Sequence, residues 1–99
     1  MGTSYKGAAI LMERQFEEAA RGDAEALYEL GVVYSTGTHG MGVDLVEAHK
    51  WFNLAALNGS EIGQTCRAEI AEEMSAREIA EAQRQARAWL AATSRRAAA

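Results

Sequence analysis

Proline is absent from this 99-residue chain, and Val, Ile and Thr are sparse. Sheets draw on β-branched residues to cover their pleated faces, so an all-β or α/β chain is excluded. Alanine, glutamate and arginine are abundant instead, a mixture that favours helix. A single cysteine, Cys66, rules out an intramolecular disulfide framework. No apolar run approaches the roughly 18 residues of a membrane-spanning helix, so no membrane partner is expected. The start, Met1 to Ser4, lacks the basic and apolar regions of a signal peptide. A cytoplasmic location is the expectation, and a periplasmic or secreted one would require a leader upstream.

Charge is also short of one sign in one place. Residues 1 to 59 carry four Lys/Arg against eight Asp/Glu, while residues 60 to 99 carry six of each. The formal net charge is −4, with no basic stripe, so nucleic acid is not an expected partner. Arg84, Arg87, Arg95 and Arg96 gather near the C-terminus, where positive charge suits the end of a helix. The length fits one domain, 48% of it hydrophobic and 24% charged, with a modest core of its own.

What is present reads as five helices. The first spans about Tyr5 to Ala20, with Leu11, Met12, Phe16, Ala19 and Ala20 at helical spacing, and Gly22 stops it. Asp23 caps the second, whose apolar stripe is Leu27, Leu30, Gly31 and Tyr34. The glycine-rich "STGTHGMG" follows as a loop from Ser35 to Gly42. Asp44 and Glu47 have capping-box spacing for a third helix that buries Ala48, Trp51, Phe52, Ala55 and Ala56, and Gly59 closes it. Ser60 opens a fourth with Ile62, Cys66 and Ile70 on one side. Ser75 and Glu78 make another capping box, flanked by Met74 and Ile79 as a hydrophobic staple. The fifth carries Ile79, Ala82, Ala86, Trp89 and Leu90. It is expected to act as a lid, with Ile79, Ala86 and Trp89 or Leu90 facing inward.

A repeat runs through these helices. "FEEAA" at Phe16 to Ala20 returns as "FNLAA" at Phe52 to Ala56, 36 residues later. A period of that size indicates stacked helix pairs. It also accounts for Gly31, which costs roughly 1 kcal/mol relative to alanine inside a helix. A missing side chain lets Trp51 or Phe52 of the next helix approach closely, and packing offsets the cost.

The segment from Ala24 to Gly59 resembles the Sel-one-like repeat family, relatives of the tetratricopeptide repeats. The family's first helix reads about A-x-A-x-Y-x-L-G-x-x-Y-x-x-G, and Ala24, Ala26, Tyr28, Leu30, Gly31, Tyr34 and Gly37 fall on it without a gap. Its loop and second helix are matched by Gly40, Asp44, Ala48, Trp51, Phe52, Ala55, Ala56 and Gly59, with Met41 in place of a valine. The loop between Gly37 and Gly40 is one residue longer than usual. The resemblance implies a five-helix α/α repeat solenoid, a tetratricopeptide-like superhelix. Residues 5–20 would be the second helix of a preceding repeat, 24–59 the full repeat, 60–92 a degenerate capping pair and 93–99 a tail. It further implies a non-catalytic module that presents a concave surface to a protein or peptide. Glu25, Tyr28, Glu29, Val32 and Thr36 map to the groove side, with Tyr28 as either anchor or core spacer. Gly31, Tyr34, Trp51, Phe52 and Ala55 map to packing. The chain is expected as a monomer or a weak homo-oligomer, and a self-associating structural piece remains an alternative.

Catalysis has little to stand on. His39, His49 and Cys66 show no metal-ligand spacing, so neither metal nor other cofactor is expected. Cys66 is expected buried and inert, His49 at a surface or groove, and His39 solvated in the loop. The glycine loop lacks G-x-x-x-x-G-K-[ST] and follows no strand, which excludes a phosphate cradle. Glu17/Glu18 and Glu72/Glu73 read as solvated helix faces. Some cysteine-rich relatives are linked to β-lactams, so a small-substrate hydrolase is the second alternative. Those relatives have paired cysteines, and Cys66 is single.

Overall fold

The computed structural model describes the backbone of residues 2–40 and 42–98, and the side chains of 7, 10–40 and 42–94. Met41 of the loop motif and the Arg95/Arg96 end of the basic patch lie outside the described side chains. Among the described residues the fold is all-α, with no strand. The helices are α1 (Gly2–Ala20), α2 (Ala24–Thr36), α3 (Leu45–Leu57), α4 (Glu61–Ala71) and α5 (Ala76–Ala98), with a short 3-10 turn at Thr38–Gly40.

The ends are set by local chemistry. Asp23 Oδ1 accepts from Ala26 N at 3.0 Å, and Ser60 Oγ accepts from Gly63 N at 2.9 Å, so both side chains satisfy an orphan amide of the first turn. At α5 the capping box is complete: Glu78 N donates to Ser75 Oγ at 3.1 Å, and Ser75 N to Glu78 Oε1 at 2.8 Å. At α3 only half forms. Asp44 accepts from Glu47 N, but its own amide donates to the Tyr34 carbonyl at 2.8 Å, and the Glu47 carboxylate pairs with Lys50. Gly37 ends α2 at φ 74°, and a Cβ there would press on the backbone of Gly42 and Val43.

α3 is the axis of the molecule. It packs against α2, α4 and α5, and Trp51 joins the first and last helices. Its ring meets Phe16 of α1 edge-on at 5.7 Å and Trp89 of α5 at 4.8 Å. Each such pair adds about 0.5–1.5 kcal/mol beyond its buried area. Gly31 sits where expected, and Phe52 is the residue that fills its notch. A Cβ at Gly31 would lie 2.5 Å from Phe52 Cε1 and 2.9 Å from Cγ, distances no real side chain tolerates. Ala48, Ala55 and Leu54 are fully buried on α3, while Ala56 is half-buried.

Several expectations change. On α1, Leu11 is 43% exposed and Gln15 is buried, because the stripe facing α2 runs through Met12, Gln15, Phe16 and Ala19. On α4, Ile62 is 56% exposed and Cys66 and Ile70 are half-buried. The reason is Gly63: with no side chain it rests against α3, where a Cβ would be 3.0 Å from that of Ala55. On α5, Ala82 and Ala86 are buried, Ile79 and Trp89 half-buried, and Leu90 exposed, so Trp89 and not Leu90 turns inward. α4 and α5 follow each other in sequence, yet each packs chiefly on α3 rather than on the other.

Candidate protein-binding face

The outward face of α2 is fixed by what its other sides bury. Ala26, Leu27, Leu30, Gly31 and Val33 point into the core, which leaves Glu25, Tyr28, Glu29, Val32 and Thr36 along the remaining side. Glu25 and Thr36 are exposed, and Tyr28, Glu29 and Val32 are half-buried. Tyr28 does two things at once: its ring tilts onto Phe52 at 5.8 Å, and part of it stays accessible. Phe52 therefore carries both the Gly31 notch and the floor under Tyr28.

Not every residue of the row is equally available. Glu29 Oε2 accepts from Gln15 Nε2 of α1 at 2.9 Å, which ties its carboxylate to the neighbouring helix. Thr36 Oγ1 donates to the Val32 carbonyl at 2.7 Å, so its hydroxyl proton is spent on its own helix. Glu25 is the one acidic group of the row that stands clear of the body. Gln15 has no sequence signal as a partner of Glu29, because its position follows from how α1 lies on α2. Its Oε1 is buried without a hydrogen bond.

Tyr34 is half-buried beside the start of α3. Burial, then the carboxylates of Glu47 and Asp44, push its phenol above the ordinary tyrosine range. Lys50 lies 4.5 Å over the Trp51 ring while bound to Glu47, a cation–π contact at the core's edge.

His39, His49 and Cys66 lie on three different elements, the 3-10 turn, α3 and α4. His49 is only 3% exposed, against the surface or groove position the sequence suggests, because α3 packs against three helices and buries residues on several of its sides, Ala48, His49, Trp51, Phe52, Leu54 and Ala55. Burial, then the nearby Arg67 charge, lowers its pKa and keeps the imidazole neutral. Burial and Glu69 push the Cys66 thiol up, the reverse of what an activated nucleophile needs. His39 is exposed in the loop at φ 57°. Among the described residues no group of three or more His, Cys, Asp or Glu side chains is arranged to hold a metal ion. Among the described residues no helix is long and apolar enough to cross a membrane.

A comparison with protein-family models matches the Sel1 repeat model over residues 24–60. Residues 24–60 are thus similar to a Sel1 repeat, over part of the chain. The segment takes in α2, the glycine loop and α3, together with the cap of α4. The Gly31–Phe52 notch and Tyr28 thus lie inside the repeat, whereas Gln15, Trp89 and all of α5 lie outside it. Sel1 repeats generally mediate protein–protein interaction and act as non-catalytic scaffolding. Neither a curated protein nor a solved structure matches the chain.

Proposed function

We propose that the Sel1-like repeat of this chain holds a segment of another protein along the outward face of α2, without catalysis. Tyr28 carries the reading. A tyrosine whose ring is half buried on Phe52 is rigid before binding, and it offers amphipathic contact area at little entropic cost. Val32 lies one turn further on, and Glu25 adds negative charge at the start of the helix. α2 has no basic residue to cancel it. A ligand with lysine or arginine beside an apolar contact suits that face, with charge acting more on association rate than on affinity.

The test begins with proteins captured by the wild-type chain and compares capture by Glu25→Lys and Tyr28→Ala. Glu29 is neutralised to Gln rather than reversed, which keeps an acceptor for the buried Gln15 amide. A partner bound through this face is captured by wild type and lost by Tyr28→Ala. Its association rate at low salt falls with Glu25→Lys, and the salt dependence shrinks. A partner held equally by wild type and all three variants would move the binding surface off α2.

A further inference from the structure

The caps of α2 and α4 put the two helices in register. Asp23 and Ser60 each bond the third amide on, so Ala26 corresponds to Gly63, Leu27 to Gln64 and Gly31 to Ala68. In the Sel1-like repeat, Gly31 is covered by the helix that follows, through Phe52. In the next unit α5 packs on α3 instead, and the corresponding side of α4 stands open. It forms a shallow recess of about 700 Å³ around Gln64 and Ala68, edged by Glu61, Glu69 and Glu72. The recess is open to solvent and has an acidic rim. Arg67, the only basic residue of α4, is turned away to Asn53 of α3.

α5 has the complementary character. It carries five arginines against Glu78 and Glu81. It is 23 residues long, whereas the α3 helix beneath it has 13. At 1.5 Å per residue, residues 90–98 add roughly 13 Å past Trp89, the residue that anchors α5 to Trp51. Along the C-terminal part of α5, Arg87, Leu90, Ala91 and Ser94 share one face at i, i+3, i+4 and i+7, and all four are exposed.

We propose that the chain associates with itself head to tail, the Arg87–Ser94 face of α5 in one copy filling the recess on α4 of the next. With Ala91 over Ala68 and the helices antiparallel, Arg87 comes level with Glu72, since each lies one turn from the alanine on its own helix. Two small residues at the crossing permit a close approach. The two surfaces differ, so the contact is heterologous and can extend through further copies. One helix face buries little area, which makes the contact weak and salt-sensitive. The site is separate from the α2 face of the proposed function, and the two stand or fall independently.

Sedimentation velocity on the full chain, from about 10 µM to about 1 mM, tests it within the range of weak contacts. At low salt the weight-average mass of wild type rises at least twofold over that range, and high salt returns it to the monomer. Glu69→Lys with Glu72→Lys disables the recess, and Arg87→Glu with Leu90→Ser disables the arm. Each variant keeps wild-type helical circular dichroism and stays monomeric alone. Their equimolar mixture has one intact junction, so it forms a two-chain species and nothing larger. If the lysine pair loses helix content, Glu69→Gln with Glu72→Gln takes its place and weakens association. Wild type that is monomeric at the top concentration in low salt overturns the proposal. So does a mixture that stays monomeric, a neutralised pair that associates like wild type, or loss of association on Glu25→Lys, which would seat the arm on α2.

Discussion

Helices α2 and α4 start with the same capping bond and end with very different burial. Leu27 and Leu30 of α2 are fully buried, while their counterparts on α4 are an exposed Gln64 and a half-buried Arg67. Gly31 lies under Phe52; its counterpart Ala68 is open to solvent. One side of each helix behaves alike, since Ala26 and Gly63 are both buried. The other side depends on whether the following helix folds back. α3 does so onto α2, and α5 does not do so onto α4, because Ala82, Ala86 and Trp89 commit α5 to α3. A helix of this chain is thus stabilised from both sides or from one, and stability should be distributed accordingly.

The sharpest way to break this comparison is to truncate matched positions. Leu27→Ala should cost about 2–5 kcal/mol, the range for removing a fully buried leucine. Gln64→Ala should stay within about 0.5 kcal/mol, as exposed substitutions do. Urea midpoints of the two variants decide the matter. Equal losses would mean that α4 is as deeply embedded as α2.

The next pair reverses the sign of the substitution. Gly31→Leu should overpack the Phe52 contact by roughly 1–3 kcal/mol or more, although leucine is the better helix former by almost 1 kcal/mol. Ala68→Leu adds the same bulk to an open face and should leave the thermal midpoint within a few degrees. A rise in midpoint for Gly31→Leu, the result of propensity alone, would refute the notch.

The His49 imidazole sharpens the comparison by pH. Its folded pKa lies below the unfolded 6.5, so the unfolded chain binds the proton more readily in between. The contribution from neutral His49 is complete above about 6.5 and is lost as pH falls through the folded value. Arg67 of α4 adds to the shift from one side only. Between pH 7 and pH 5 the thermal midpoint should therefore fall for wild type and fall less for His49→Phe, with Arg67→Met intermediate. Identical slopes for wild type and His49→Phe would place the acid sensitivity elsewhere.

Much of this was legible in the sequence wherever a residue's role is local or confined to the repeat. Capping by Asp23, Asp44, Ser60 and Ser75 follows from side-chain oxygen and spacing alone. The Gly31 notch follows from the cost of a helical glycine together with the aromatic pair at Trp51 and Phe52, although choosing between the rings required the packed helices. The misses have a common cause. Gln15, His49, Leu90 and Ile62 each depend on how one helix is rotated against another, and hydropathy at helical spacing does not fix that rotation when polar and apolar residues share a stripe. Ile62, Cys66 and Ile70 form an acceptable apolar line, yet Gly63 offers a closer approach to α3 and wins. For the outward face of α2, the sequence named the row but gave no hint that Gln15 ties Glu29 down.

The smallest expected effect concerns the two caps themselves, and it isolates the role of the following helix most cleanly. Asp23→Ala and Ser60→Ala remove the same bond, to Ala26 N and to Gly63 N, each worth about 1 kcal/mol. On α2 that loss cannot remain local. Fraying its first turn uncovers Ala26 and Leu27, so the helix opens only with the core and the loss appears in global stability. On α4 the first turn rests on Gly63 alone, with Glu61, Ile62 and Gln64 already exposed, so it can open by itself. Amide hydrogen exchange separates the two cases. Asp23→Ala should speed the slowest-exchanging amides throughout α2 and α3 by roughly fivefold, the factor that corresponds to about 1 kcal/mol. Ser60→Ala should speed the first amides bonded within α4 by a similar factor and leave the slowest ones in α3 unchanged. A uniform loss of protection in Ser60→Ala would show that α4 opens only with the whole molecule, and the contrast between a doubly and a singly supported helix would fail.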